Sequence, residues 1–154
     1  MSCEGLIDFI FAHERDIRAA VREKRLDPGG ITGGNGTGHS KISDPTAAQG
    51  IRLALPIAVV VVEYGAAIGG VRSSKSIRRP EKWLQVIAET KEFYKGKKQG
   101  EFISRRYGHE EAWQDTCKAM RCNKASYYAM RSDVIRFAER LAVEYGMISP
   151  WQKR

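Results

Sequence analysis

The side chains best suited to recognition chemistry lie near the C-terminus, where we predict a helix beginning near Lys124. Its first two turns combine cationic, small and hydroxyl side chains, namely Lys124, Ala125, Ser126, Tyr128 and Arg131. Lysine and arginine donate hydrogen bonds to guanine acceptors or to phosphates, hydroxyls bond phosphate oxygens, and a small alanine permits close approach. A recognition helix presents such side chains to the DNA major groove, so we predict these five as DNA-binding residues.

Two consecutive helices must position this face. About ten helical residues begin near Glu110, a break follows at residues 121–123, and the last helix runs from Lys124 to about Tyr145. Asn123 is predicted to cap the last helix by accepting from the backbone N–H near Ser126. Residues spaced three or four apart predict the buried faces, which are Trp113, Thr116, Cys117 and Met120 on the first helix and Tyr127, Met130, Val134, Phe137 and Leu141 on the second.

The apolar spacing alone does not select DNA, because any helical hairpin with a short turn shows it. Charge adds a second observation. Residues 1–71 carry seven Lys/Arg and eight Asp/Glu, net −1, whereas residues 72–154 carry nineteen and ten, net +9. This asymmetry indicates a polyanionic partner and favours DNA, with a solvated basic face that maintains solubility as the alternative. Tyr127 is expected in the core and Tyr128 on the surface.

A family resemblance is carried by residues 110–131, whose sequence is EEAWQDTCKAMRCNKASYYAMR. This segment resembles the C-terminal helix-turn-helix of proteins like sigma-factor region four, especially phage late-gene transcriptional regulators of the RinA and ArpU type. The resemblance extends to the glycine-rich loop running into Ile42–Thr46 and to Arg79–Leu84. The sequence departs from that pattern at Arg121, where a turn glycine is usual, and at Asn123, where serine is usual.

The expected fold is all-α, with a C-terminal helix-turn-helix of the sigma region-four-like type. We predict an amphipathic helix within residues 1–27, a glycine-rich flexible loop over 28–43, a helical connector over 44–79 and a DNA-binding domain over 80–154. Residues 51–71 are ambiguous, because Pro56 should kink a helix and Val59–Val62 is equally compatible with a short buried strand. Two helical pieces are the preferred interpretation. Pro80 is expected to begin a further helix that ends at Gly96.

The sequence shows little evidence of a catalytic site or of a nucleotide-binding site. Residues 33–40 come within one residue of the phosphate-binding pattern G-x-x-x-x-G-K-[ST], but His39 replaces the lysine, and no buried strand precedes the loop. The histidines are scattered over three segments, at His13, His39 and His109. We therefore expect no enzymatic activity and no cofactor.

The cysteines are Cys3, Cys117 and Cys122, an odd number without a C-x-x-C pair, so neither a disulfide framework nor a metal site is predicted. A reducing cytoplasm is the expected location. The longest apolar stretch, Leu53–Val62, is too short to span a bilayer, so no membrane segment is expected.

Together these features predict a sequence-specific regulator of transcription, of phage or prophage origin, that binds double-stranded DNA. RNA polymerase and further copies of the chain are candidate partners. One alternative is a phage small terminase subunit that recognises packaging-site DNA and assembles as a ring. The other alternative is a sigma-like adaptor that binds protein, for which DNA binding should be weak and insensitive to salt.

Overall fold

The structure is a computed structural model that describes residues 3–26, 50 and 55–149. Its elements are α1 (Cys3–Ala12), α2 (Glu14–Leu26), β1 (Val59–Ile68), β2 (Val71–Arg78), α3 (Pro80–Phe93), α4 (Lys98–Ile103), a π-helical turn (Ser104–Gly108), α5 (Trp113–Met120) and α6 (Lys124–Glu144). They belong to two compact units: the helical unit, Met1–Arg15 with Lys82–Arg154, and the hairpin unit, Asp16–Glu81. The predicted glycine-rich loop over 28–43 and the first residues of the predicted connector, 44–49, lie outside the described residues.

The described chain is mostly helical, but the all-α prediction and the helical connector over 44–79 are wrong where β1 and β2 form an antiparallel hairpin. Val59–Val62 is a run of β-branched side chains, which pack well on a pleated surface. Gly69 and Gly70 have φ of 60° and 81°, the two positive values that a type I′ hairpin turn requires. The sequence therefore specifies strands on both sides of a two-glycine turn.

Polar contacts join the base of the hairpin to the rest of its unit. The Lys24 Nζ of α2 donates to the carbonyl oxygen of Val59 at 2.9 Å. The Glu81 carboxylate accepts from the backbone N–H of Ile57 at 3.1 Å and forms an ion pair with Arg25. The buried apolar side chains among the described residues of this unit include Ile17, Val60, Val62 and Ile77. The base of the hairpin is therefore held by both apolar burial and polar contacts.

The single N-terminal helix predicted from about residue 3 to 25 is instead two helices with a break at His13. The backbone N–H of His13 still donates to the carbonyl of Phe9 at 3.0 Å, so the break is a local departure from helical geometry. Neither glycine nor proline marks the position, and for that reason the sequence pattern did not indicate it.

In the helical unit, α6 packs against α1, α4 and α5. Its Phe137 also stacks on Phe93 of α3, with 4.1 Å between the ring centroids. In the short segment before α5, Phe102, Ile103 and Tyr107 are buried and contribute to the core. Helix α3 begins at Pro80 as predicted. Trp83, Val86 and Ile87 of this helix are buried, as is Tyr94 just after it, whereas Phe93 is 49% exposed.

The buried side of α6 differs from its predicted stripe in the C-terminal half. Tyr127, Met130 and Val134 are buried as predicted, whereas Phe137 and Leu141 are only half-buried. The remaining buried positions are Ile135, Ala138 and Ala142. The predicted stripe assumed packing against one neighbouring helix, but α6 contacts α1, α3, α4 and α5, and the buried arc shifts accordingly.

Candidate nucleic-acid interface

Local chemistry fixes the start of α6. The residue before it, Asn123, has extended backbone angles, and its Oδ1 accepts from the backbone N–H of Ser126 at 2.8 Å. This confirms the predicted N-cap, which satisfies one of the free donors of the first turn. No acidic side chain lies in the first turn of α6, so none of its own carboxylates neutralises the partial positive charge there.

The end of α5 is closed by a left-handed residue. Arg121 has φ 51° and ψ 45°, a conformation that glycine normally supplies. The backbone N–H of Cys122 donates to the carbonyl of Cys117 at 3.0 Å, and that of Arg121 donates to the carbonyl of Lys118 at 3.4 Å. These two bonds form a Schellman motif, so the α5–α6 connection adopts the conformation of a glycine turn although it contains arginine.

The predicted DNA-binding residues at the start of α6 face solvent. Lys124, Ala125 and Ser126 are exposed, and Tyr128 is 46% exposed. The adjacent Tyr127 is buried, which confirms the expected division of the tyrosine pair. The outer surface of the first turn therefore presents an ammonium group, a methyl group and a hydroxyl.

Lys124 stays close to α5 while it remains exposed. Its Nζ lies 5.1 Å from the ring centroid of Trp113, a cation–π distance. The indole orients the lysine over the junction of the two helices. A cation held there is free to bind an anion on its outer side.

Arg131, the fifth predicted residue, is in a different environment. Its guanidinium is half-buried and forms an ion pair with Asp8 of α1, with Nη2 and Oδ2 separated by 3.2 Å. The other oxygen of Asp8 accepts from the Tyr107 hydroxyl at 2.6 Å. Burial raises the pKa of Tyr107, and the neighbouring Asp8 carboxylate raises it further. The structure brings Arg131 to the edge of the exposed face and holds it against α1, while its role in reading DNA stays a prediction.

Two further cations, in addition to the five predicted DNA-binding residues, lie at the α5–α6 junction. Lys118 and Arg121 are exposed, and like Lys124 they have no ion-pair partner among the described residues. We name Lys118, Arg121 and Lys124 the junction cations. The sequence signal for these cations is their regular spacing of three residues, which places three positive charges within residues 118–124, on both sides of a tight turn.

Basic residues earlier in the helical unit are, by contrast, partly neutralised. Lys91 forms an ion pair with Glu14. Arg105 contacts the carboxylates of Glu101 at 2.9 Å and Glu111 at 3.3 Å. The junction cations are thus more available to an external anion than these residues are, although all contribute to the basic half of the sequence.

The junction can donate hydrogen bonds and attract anions, and its buried thiol at Cys117 is a weak nucleophile. Burial raises the pKa of the Cys117 thiol, and a hydrogen bond with Cys122 adds to this, so the thiol stays protonated. Within the described part of the chain, no cluster of three or more His, Cys, Asp or Glu residues could hold a metal ion. None of the described helices is long and apolar enough to cross a bilayer.

The chain matches no known protein family, no curated protein and no solved structure. Its function is therefore inferred from the side chains of this site. These side chains form an exposed helix start with a cation at Lys124 and an N-cap at Asn123. Lys118 and Arg121, which have no ion-pair partner among the described residues, lie beside it.

Proposed function

We propose that the protein binds double-stranded DNA and reads its sequence with the first two turns of α6, used as the recognition helix of a helix-turn-helix. The observation that carries the proposal is the exposed start of α6, where Lys124 and Ser126 face outward on a helix whose inner side is anchored by Tyr127. Such a helix can enter the major groove while its packed side holds it at a fixed angle.

Each exposed side chain has a distinct role in this proposal. Lys124 donates to the acceptors of guanine or to a phosphate, and Ser126 donates to a phosphate oxygen. Ala125 lets the backbone approach the bases. Tyr128 contacts the sugar–phosphate backbone with its hydroxyl. Arg131 extends the same face by one turn, with its orientation set by Asp8.

Two of the junction cations, Lys118 and Arg121, supply affinity that does not depend on sequence. Lysine and arginine side chains at phosphates release condensed counterions, and that release drives binding to any duplex. Lys118 and Arg121 precede α6, so they are placed to contact the backbone beside the groove that α6 enters. In this proposal, the cations of the turn provide affinity for any duplex, and the side chains at the start of α6 provide selectivity for a sequence.

The proposed biological role is regulation of transcription in a phage or prophage, directly at a promoter or together with RNA polymerase. The resemblance of residues 110–131 to late-gene regulators of the RinA and ArpU type supports this role. The packing of α5 and α6, with its capped second helix, is compatible with that resemblance.

A selection from randomised duplexes tests the proposal, using the full chain and the Lys124→Ala and Tyr128→Ala variants. The parent should enrich a defined site. Loss of a base contact at Lys124 should lower affinity for that site roughly 5- to 150-fold and relax preference at one position. Arg136→Ala is the matched control, because Arg136 is also exposed on α6 but lies three turns from its start.

Two outcomes would contradict the proposal. Failure of the parent to enrich any duplex sequence would remove sequence-specific binding altogether. Enrichment of the same site with equal affinity by the parent, Lys124→Ala and Tyr128→Ala would show that the start of α6 does not read the bases.

A further inference from the structure

The solvent face of β2 carries an alternating row of cations and hydroxyls. Arg72, Ser74, Ser76 and Arg78 are all exposed, whereas Ile77 between them is buried and Lys75 is half-buried. Alternate residues of a strand point to the same side of a sheet, so these four side chains share one face. We name them the β2 row.

The β2 row has little opposing charge around it. No aspartate or glutamate occurs between Tyr64 and Pro80, and the only carboxylate on either strand is Glu63, which pairs with Ser74 in the register. Arg72 and Arg78 have no ion-pair partner among the described residues. The two arginines are six positions apart on an extended strand, roughly 20 Å at about 3.3 Å per residue. The row is therefore a linear positive surface.

The far end of the hairpin is exposed and built from small residues. Residues 65–67 and 69–74 are exposed. They include five glycines and alanines beside the turn, together with Val71, which is 73% exposed. An isolated two-stranded hairpin is only marginally stable, and this one is buried near its base alone. A narrow ribbon with an exposed end is suited to contact a partner.

We infer that the β2 row binds the sugar–phosphate backbone of duplex DNA, as a second contact element in addition to α6. Arginine and serine are both donors to phosphate oxygens, and a two-stranded β-ribbon fits the major groove. A second copy of this chain would bring two positive rows together, which charge repulsion disfavours. The inference rests on the proposed function, because it names a further surface for the same ligand.

The test measures DNA affinity of the full chain against salt concentration, between about 50 and 200 mM, on a duplex of arbitrary sequence and on the selected site. The double variant Arg72→Gln/Arg78→Gln removes two phosphate contacts. The slope of log K against log salt should fall by about 1.8, and affinity should drop roughly 60-fold at about 0.1 M salt. Both duplexes should be affected equally, because phosphate contacts do not read sequence.

Two further variants separate a local contact from a general loss of charge. Arg22→Gln removes an exposed arginine from α2 of the same unit, and its slope should match that of the parent. Glu63→Gln removes the single carboxylate of the hairpin, and its affinity should rise. An increase in affinity cannot result from misfolding, so this variant keeps the test decisive even if the double variant folds poorly.

The outcomes distinguish this inference from the proposed function. If the parent binds DNA and the double variant and Glu63→Gln both keep its affinity and slope, the β2 row is not a DNA contact, and α6 remains the proposed reader. If the parent binds no duplex, the proposed function and this inference both fail. If light scattering shows that the double variant changes only the number of copies in the assembly, the row binds another copy and the inference is overturned.

Discussion

Replacement of Arg121 by glycine should stabilise the protein and weaken its binding to DNA. The left-handed conformation of Arg121 costs an L-residue roughly 1–2 kcal/mol relative to glycine. Glycine loses about 0.4–1 kcal/mol of this advantage through the greater freedom of the unfolded chain. The net gain for Arg121→Gly is therefore about 1 kcal/mol in the free energy of unfolding, or a rise in Tm of roughly 2–4 °C for a chain of this size.

The same substitution removes one of the junction cations. Loss of one phosphate contact should lower the salt slope by about 0.9 and reduce affinity roughly 8-fold at about 0.1 M salt. Arg121→Ala is the matched control, because it removes the same charge but keeps an L-residue in the left-handed conformation. It should lose DNA affinity to the same extent as Arg121→Gly without the gain in stability.

Urea denaturation followed by circular dichroism, together with salt-dependent DNA binding, measures both effects. Equal stability of Arg121→Gly and Arg121→Ala would refute the reasoning about the left-handed turn. Unchanged DNA affinity in both variants would instead refute the assignment of Arg121 to the phosphate-binding surface. The two results are independent, since one concerns the backbone and the other the charge.

Two other predictions concern the capped helix and the buried tyrosine. Asn123→Ala should lower the free energy of unfolding, measured by urea denaturation, by about 1 kcal/mol because the cap to Ser126 is lost. Asn123→Ser should retain most of the parent's stability, since serine is also a good N-cap. Equal losses in the two variants would contradict the capping role. Burial and Asp8 raise the pKa of Tyr107 in the folded state, so the unfolded chain releases this proton first once the pH exceeds about 10. The contribution of Tyr107 to the free energy of unfolding should therefore be fully present below pH 10 and fall by up to about 1.4 kcal/mol per pH unit above pH 10. In denaturation curves measured across this pH range, Tyr107→Phe should lose stability less steeply than the parent. Identical pH profiles for the parent and the variant would contradict the prediction.

The α5–α6 region could be predicted because its determinants are local. The cap of Asn123 needs only a residue three positions on, and the burial of Tyr127 follows from helical spacing. The ion pair between Arg131 and Asp8 had no such signal, because 123 positions separate its partners. A cation at an amphipathic boundary is equally compatible with a ligand and with a neighbouring helix, and only the packing of α1 on α6 distinguishes them.

The hairpin was missed for a different reason. Four consecutive valines show neither helical nor strand periodicity, and the polar stretch after them lacks the apolar residues expected of a buried strand. The signal that identifies it is Gly69-Gly70 between two β-branched or polar runs, which is typical of a tight hairpin turn. Only alternate positions of β2 needed to be apolar, and Ile77 alone was sufficient at its base.

Buried and exposed positions alternate along the first turns of α6, and this pattern has an evolutionary consequence. Tyr127 and Met130 are constrained by the packing around them, while Lys124, Ala125 and Tyr128 have room for almost any side chain. Exchanges at the outer positions would be nearly neutral for folding, so these positions are free to diverge among descendants that keep the same scaffold. Under the proposed function, a few codons at the start of one helix would then determine which DNA sites single substitutions make accessible.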